Sequence, residues 1–101
     1  MLENAYETCL AYELDDAGLA FERQPKLPLI YRGVTIGDGY RLDLLVSKLV
    51  VIEVKAVDAL LPLHHAQLLS YLRFGRFRLG YLLNFNVKMM RDGIHRIANG
   101  L

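Results

Sequence analysis

Apolar and charged positions alternate in the middle of the chain, in the stretch YRLDLLVSKLVVIEVKAV at residues 40–57. It contains two apolar runs rich in β-branched residues, and Asp43, Glu53 and Lys55 stand inside these runs. Alternation of this kind is typical of β-strands, in which successive side chains point to opposite faces of a sheet. The two runs therefore predict a β-hairpin with its turn at residues 47–49.

The apolar positions also predict how the two strands pair. Each strand has one apolar face, formed by Leu42, Leu44 and Val46 in the first strand and by Val50, Ile52, Val54 and Ala56 in the second. Both faces should turn to the same core, and a one-residue slip would reverse a strand. The shortest loop that meets this condition places Asp43 opposite Glu53 and Arg41 opposite Lys55.

Two carboxylates and a lysine then share one face of the hairpin, and this pattern has two explanations. One is an ion-pair cluster on a solvated sheet face, which is common in antiparallel sheets. The other is a cation site, because directly opposed carboxylates repel each other and destabilise a sheet. Hard divalent ions bind carboxylate oxygens, and magnesium usually takes one or two carboxylates together with water and phosphate oxygens. The pattern alone leaves both explanations open.

The part of the chain before the hairpin is predicted to contain a helix and an edge strand. Helical spacing predicts an α-helix over residues 2–17 that ends at Gly18 and has Cys9 in the core. Two prolines within residues 21–31 favour an edge strand, since proline cannot donate a ladder hydrogen bond. The segment Gly37-Asp38-Gly39 predicts a kink before the central hairpin.

A second helix is predicted after the hairpin, with Pro62 in its first turn and Gly75 at its end. Its expected buried side consists of Leu61, Ala66, Leu68, Leu69 and Leu72. A second stripe on the same helix is polar and consists of His64, Gln67 and Tyr71. A half-exposed amphipathic face explains this stripe without any function, and His64 is open between the two interpretations.

Two further strands complete an α/β order along the chain. A buried apolar strand is predicted at residues 77–85, and either a short strand or a packed arm is predicted at residues 94–97. The order is α-β-β-β-α-β, and 101 residues correspond to a single domain.

Six segments together resemble the GxxExxY family of the PD-(D/E)XK nuclease superfamily. They are LENAYETCLAYEL (residues 2–14), FERQ (21–24), GYRLDLLV (39–46), VIEVKA (51–56), HHAQLLSYL (64–72) and LLNFNV (82–87). The similarity continues through RDGIHRIANGL at residues 91–101. Glu3 and Tyr6 match the E and Y of the family motif, whereas its glycine would precede Met1. We therefore expect the N-terminal segment of the family to be missing from the domain at residues 1–101.

The resemblance implies a restriction-endonuclease-like αβββαβ core with a mixed sheet flanked by helices. It also implies metal-dependent hydrolysis of phosphodiester bonds in nucleic acid. Asp43 and Glu53 would bind Mg²⁺ or Mn²⁺, Glu3 would complete the metal shell, and Lys55 would orient the attacking water or stabilise negative charge. The residues expected to hold the substrate are Gln67 and Tyr71. The alternative is a catalytically silent module on the same fold that binds nucleic acid or another protein.

Composition bears on the partners and the cellular location expected for the protein. Twelve basic and 11 acidic residues give a formal net charge of +1, so total charge does not indicate nucleic-acid binding, although basic residues predominate from residue 73 onward. No apolar run approaches the roughly 20 residues that span a bilayer, and the single cysteine excludes an internal disulfide. We predict a cytoplasmic protein that does not interact with membranes, acts on DNA and forms a homodimer.

Overall fold

The computed structural model describes residues 2–28, 30–35 and 39–100. Its elements are α1 (Leu2–Asp16), β1 (Phe21–Arg23), β2 (Lys26–Leu27), β3 (Ile30–Tyr31), β4 (Val34–Thr35), β5 (Tyr40–Arg41), β6 (Leu44–Val46), β7 (Val50–Lys55), α2 (Pro62–Gly75), β8 (Leu79–Asn84), a 3₁₀ helix (Met90–Gly93) and β9 (Ile94–Ala98). In the predicted kink, Gly37 and Asp38 lie outside the described residues. No helix in the described ranges is long and apolar enough to cross a membrane.

Five strands form one mixed sheet in the order β1-β6-β7-β8-β9. The pairs β1/β6, β6/β7 and β8/β9 are antiparallel, whereas β7 and β8 are parallel. Parallel neighbours need a crossover connection, and α2 supplies it between β7 and β8. The predicted α/β fold with the order α-β-β-β-α-β is confirmed, and β9 adds a strand at one edge.

Both faces of the sheet are buried, each under one helix. Leu44, Ile52 and Val54 face α1, where Tyr6, Leu10 and Leu14 pack against them. On the opposite face the core contains Leu45, Val51 and Leu82 from the sheet and Leu68 and Leu72 from α2. The explanation that the charged residues lie on a solvated sheet face is therefore wrong, because Glu53 is only 7% exposed.

The predicted register of the central hairpin is confirmed. Leu44 pairs with Ile52 and Val46 pairs with Val50, which is the pairing that the apolar faces require. The turn lies at Ser47, Lys48 and Leu49, and the Leu49 N–H donates to the Val46 carbonyl at 2.9 Å. Thus the pattern of apolar positions predicts both the pairing and the loop.

The first strand of this hairpin is shorter than predicted, because the chain leaves the β7 ladder before Leu44. The Gln24 N–H donates to the Asp43 carbonyl at 2.8 Å, and the Leu42 N–H donates to the Pro25 carbonyl at 3.0 Å. These bonds attach the segment to the connection after β1. Arg41 consequently pairs with Lys26 instead of facing Lys55, so that prediction is wrong.

The same bend changes the face on which Leu42 lies. The strict alternation predicts Leu42 beside Leu44, but Leu42 packs with Leu45 in the cluster beneath α2. The alternation fails because residues 42 and 43 are not part of a strand. The correction matters because Asp43 lies at this bend.

The predicted buried sides of the two helices need correction. Cys9 is exposed, and the fully buried positions of α1 are Glu7 and Ala11. In α2, Leu61 and Ala66 are exposed, whereas Tyr71 from the predicted polar stripe is buried. In both helices a polar side chain occupies a buried position that apolar spacing alone does not identify. Both of these side chains belong to the site described below.

We predict that Leu72→Ala lowers the free energy of unfolding by about 2–5 kcal/mol, because it opens a cavity under the sheet. Leu72 is 0% exposed, and it contacts the sheet at Gly80, where an added Cβ would lie 3.1 Å from Leu72 Cδ2. Leu63→Ala on the same helix is the matched control, since Leu63 is 69% exposed. Urea unfolding measures both changes, and equal losses would contradict the assignment of the core.

Candidate active site

Asp43 and Glu53 bridge the point at which the two central strands separate. The Asp43 N–H donates to Glu53 Oε2 at 2.8 Å, and the Val54 N–H donates to Asp43 Oδ2 at 2.7 Å. Each carboxylate thus accepts an amide hydrogen from the segment that carries the other. These bonds replace the ladder bonds that are lost beyond Leu44, and the two side chains are adjacent, as the register predicts.

Burial and repulsion from neighbouring carboxylates raise the pKa of both Asp43 and Glu53. Burial is the main cause of the rise in the pKa of Glu53 to about 8, and the negative charge of Asp43 adds to it. The pKa of Asp43 is also raised, again mainly by burial, with smaller contributions from Glu7 and Glu3. The two amide hydrogen bonds and the Lys55 ammonium oppose these shifts without cancelling them. The protein's own cations therefore do not balance the negative charge here.

Asp43 opens onto a cleft of about 210 Å³ between α1 and the end of β7. Its lining residues are Glu3, Asn4, Glu7, Gln24, Asp43 and Val54. Glu3 Oε2 accepts a hydrogen bond from the Ala56 N–H at 3.3 Å, just beyond the end of β7. Tyr6 stacks on Phe85 with 4.7 Å between ring centroids, which holds this part of α1 over the sheet. The helix therefore brings Glu3 to the cleft that contains Asp43.

Glu7 is a site residue that the sequence analysis missed. It is only 3% exposed, and Arg23 Nη2 donates to its Oε2 at 2.9 Å. Gln24 Nε2 lies 3.4 Å from the same oxygen. The available signal was its position four residues after Glu3, which places both carboxylates on one side of a helix. Its partner Arg23 could not be identified from local spacing.

Lys55 ends β7, two residues after Glu53, and should therefore project to the same side of the strand. Its charge lowers the pKa of both carboxylates, which agrees with a position close to them. The chain beyond it is fixed by the buried Asn84, whose Oδ1 accepts from the Val57 N–H at 3.1 Å and whose Nδ2 donates to the Val57 carbonyl at 2.9 Å. Asn84 was not singled out from the sequence.

The predicted stripe on α2 divides into a buried and an exposed part. Tyr71 lies against Tyr40 with 4.7 Å between ring centroids. Burial raises the pKa of Tyr71, and the charge of Glu53 raises it further. Gln67 is exposed and is not among the described residues that line the cleft. His64 Nδ1 accepts from the Leu61 N–H at 3.0 Å, so His64 caps the helix.

The chemistry of these donors fits a hard divalent cation. Carboxylate and carbonyl oxygens are the ligands that Mg²⁺ and Mn²⁺ prefer. Only one oxygen of Asp43 and one of Glu53 accepts a hydrogen bond from the described residues. Within that part of the chain, however, no three His, Cys, Asp or Glu side chains are grouped closely enough to hold an ion. The site thus contains suitable oxygens but not an assembled three-residue ligand set.

The raised pKa of Glu53 predicts a pH-dependent stability difference between the metal-free wild type and Glu53→Gln. The folded state binds the Glu53 proton more tightly than the unfolded state, so ionisation opposes folding. The contribution of Glu53 should fall as pH rises from the ordinary value of 4.5 to about 8. The total change should be on the order of a few kcal/mol.

Urea unfolding in chelator over this pH range tests the prediction, with Glu13→Gln at an exposed position of α1 as the control. Glu53→Gln should gain stability relative to the wild type as pH rises, whereas the control should not. A wild-type-minus-variant difference that is constant with pH would contradict the account of the Glu53 environment.

Comparison with known proteins identifies the family of this chain. The family model of the PD-(D/E)XK nuclease superfamily matches residues 1–97. No curated protein and no solved structure matched the chain. Asp43 and the tripeptide Glu53-Val54-Lys55 match the D and the (D/E)XK of the motif after which the superfamily is named, whereas Leu42 stands in place of its proline. Members of the superfamily usually use divalent metal ions. With a match over nearly its whole length and an α/β fold to fit, the chain belongs to the PD-(D/E)XK nuclease superfamily.

Proposed function

We propose that this protein is a metal-dependent nuclease that hydrolyses phosphodiester bonds in DNA. The observation that carries the proposal is the pair of amide hydrogen bonds exchanged between Asp43 and Glu53 beside a carboxylate-lined cleft. The two carboxylates satisfy backbone amides, but holding both of them ionised opposes folding because the pKa of each is raised, whereas a metal-dependent hydrolase needs them ionised. Membership of a nuclease superfamily supports the same conclusion.

Asp43, Glu53 and Glu3 would hold Mg²⁺ or Mn²⁺, together with the Val54 carbonyl. Glu3 reaches the cleft from α1, and its oxygen lies 3.3 Å from the Ala56 nitrogen. When bound, the metal ion supplies positive charge at the scissile phosphate and lowers the pKa of a coordinated water. Glu7 lines the same cleft but is paired with Arg23, so its role is to position Gln24 at the cleft wall.

Three further side chains act on the substrate. The Lys55 ammonium, whose charge lowers the pKa of both carboxylates, would stabilise negative charge that develops on the phosphate. Tyr71 keeps its proton at neutral pH, since burial raises its pKa, and its hydroxyl can therefore donate a hydrogen bond. Gln67 lies one turn earlier on the exposed side of α2, where it can contact the substrate backbone.

We further propose that the chain belongs to the GxxExxY branch of the superfamily and forms one nuclease-like domain. The support is the set of matching segments from residues 2–14 to residues 82–87, in the same order along the chain. The alternative function is a binding module that retains the fold without cleaving nucleic acid. Its specific support is that no three metal-ligating side chains are grouped in the described part of the chain.

A homodimer is also part of the proposal. Cleavage of both strands of a duplex requires two active sites, and two-fold dimers are the commonest closed assembly. The strands β1 and β9 form the two edges of the sheet, and such edges can pair with another chain.

The first prediction from this proposal concerns cleavage. Activity should require Mg²⁺ or Mn²⁺ and stop in chelator, and Asp43→Asn, Glu53→Gln and Lys55→Ala should each lower the rate by about 10²–10³, which corresponds to about 3–4 kcal/mol in the barrier. Glu13→Gln on the exposed side of α1 is the matched control and should cleave like the wild type. Assays with single- and double-stranded DNA and RNA identify the class of nucleic acid that the protein cleaves.

Cleavage by Glu53→Gln at the wild-type rate would reveal a contaminating enzyme and contradict the assignment. If the wild type binds nucleic acid but cleaves no substrate with either metal, the binding-module alternative replaces the nuclease.

The second prediction is that light scattering gives a mass close to twice the 11.5 kDa of one chain. The measurement should be made over a range of protein concentrations, since association depends on concentration. A mass of one chain at every concentration would contradict the homodimer without affecting the assignment of the site.

A further inference from the structure

Two short antiparallel ladders extend from the sheet directly beside the cleft. Just beyond the hydrogen bond from the Gln24 N–H to the Asp43 carbonyl, β2 pairs with β5, and Lys26 lies opposite Arg41. Further along the chain β3 pairs with β4 around a tight turn at Arg32-Gly33. We call these four strands the ribbon.

The β2–β5 ladder has one buried and one exposed face. Leu27 and Tyr40 point to the α2 side, where Leu27 is buried and Tyr40 packs on Tyr71 and Phe74. Successive residues of a strand point to opposite faces. Lys26 and Arg41 therefore lie on the face of this ladder that is turned away from α2, and both are exposed. Arg41 is two residues from Asp43, a separation of roughly 7 Å along a strand.

The pair Lys26–Arg41 consists of two directly opposed positive charges. Like charges in this arrangement destabilise a sheet. None of the described residues of the ribbon carries a carboxylate, and neither cation forms an ion pair within the described part of the chain. An anion bound across the two side chains would remove the repulsion. The arrangement mirrors the paired carboxylates in the cleft, with the opposite sign of charge.

The β3–β4 hairpin presents aromatic and apolar side chains beside a third cation. Ile30, Tyr31 and Val34 are all exposed, and Arg32 lies over the Tyr31 ring at 5.4 Å from its centroid. Arg32 and Gly33 both have positive φ, 51° and 77°, as in the tight turns that match the twist of a hairpin. A two-stranded ribbon fits the DNA major groove, which is about 12 Å wide, and exposed apolar side chains can enter a minor groove.

We propose that the ribbon binds double-stranded nucleic acid, with Lys26 and Arg41 holding backbone phosphates next to the cleft and the β3–β4 hairpin lying in a groove. The inference rests on the proposed function, because it assigns a substrate class to the same site. Phosphates held by this pair would lie on the strand that enters the cleft, within about two base steps of 3.4 Å from Asp43. The ribbon thus positions a duplex for the carboxylates.

Binding of a short fluorescent DNA duplex, measured by anisotropy in chelator, tests the ribbon separately from catalysis. The test variant is Lys26→Gln/Arg41→Gln, and the control is Lys48→Gln/Arg96→Gln, which removes one lysine and one arginine at exposed positions outside the ribbon. The test variant should bind more weakly, and its slope of log affinity against log salt should be smaller by about 2, since two phosphate contacts are lost. Urea unfolding checks that both variants are folded.

Five outcomes test this inference separately from the proposed nuclease. Weaker binding and a smaller salt slope in the test variant alone support the ribbon, even if the wild type cleaves nothing. Equal slopes in the test variant and the wild type overturn it, even if the wild type cleaves DNA. The absence of binding to DNA and RNA duplexes, or equal losses in both variants, also overturns it. If Tyr31→Ala changes the oligomeric mass measured by light scattering but leaves duplex binding unchanged, the groove contact is overturned and the β3–β4 hairpin binds protein.

Discussion

The exchange of backbone amides between Asp43 and Glu53 is the interaction on which the rest of the site depends. The central hairpin is a regular ladder up to the pair Leu44–Ile52, and there the first strand leaves its neighbour. Two buried amides would lose their ladder partners at this point, and an unpaired buried amide is costly. The two carboxylates accept hydrogen bonds from these amides, so the amides keep a partner where the sheet opens. The opening separates the strands and allows the chain to turn outward into the ribbon.

This solution leaves the protein with an electrostatic cost. Glu3, Glu7 and Asp43 line one cleft, and the buried Glu53 lies beside Asp43. Arg23 pairs with Glu7, and Lys55 is the other cation that influences these carboxylates. Burial makes the negative charge harder to hold than in water, which explains the raised pKa of both central carboxylates. In the proposed function a divalent cation would relieve this cost, and the site would exchange stability of the metal-free fold for affinity toward a metal ion. The opposed cations of the ribbon present the same situation to a phosphate.

The sequence predicts the parts of this structure that depend on neighbouring residues. Apolar alternation alone predicts the register of the hairpin, and therefore the adjacency of Asp43 and Glu53. It does not predict the bend at Leu42, because the bonds that cause it come from Gln24 and Pro25. The burial of Glu7 was missed for the same reason, since a charged residue is buried only with a partner, and Arg23 lies 16 residues away. The burial of Tyr71 depends on Tyr40, which reaches it through the ribbon.

The most direct test of the central claim is a calorimetric titration of Mn²⁺ into the metal-free protein, with Asp43→Ala titrated in parallel. The claim is that the two bridging carboxylates form a cation site. The account predicts saturable binding to the wild type and loss of that binding in Asp43→Ala, with Asp15→Ala at an exposed position of α1 behaving like the wild type. Equal binding of Mn²⁺ by the wild type and Asp43→Ala, or no binding by the wild type, would contradict it.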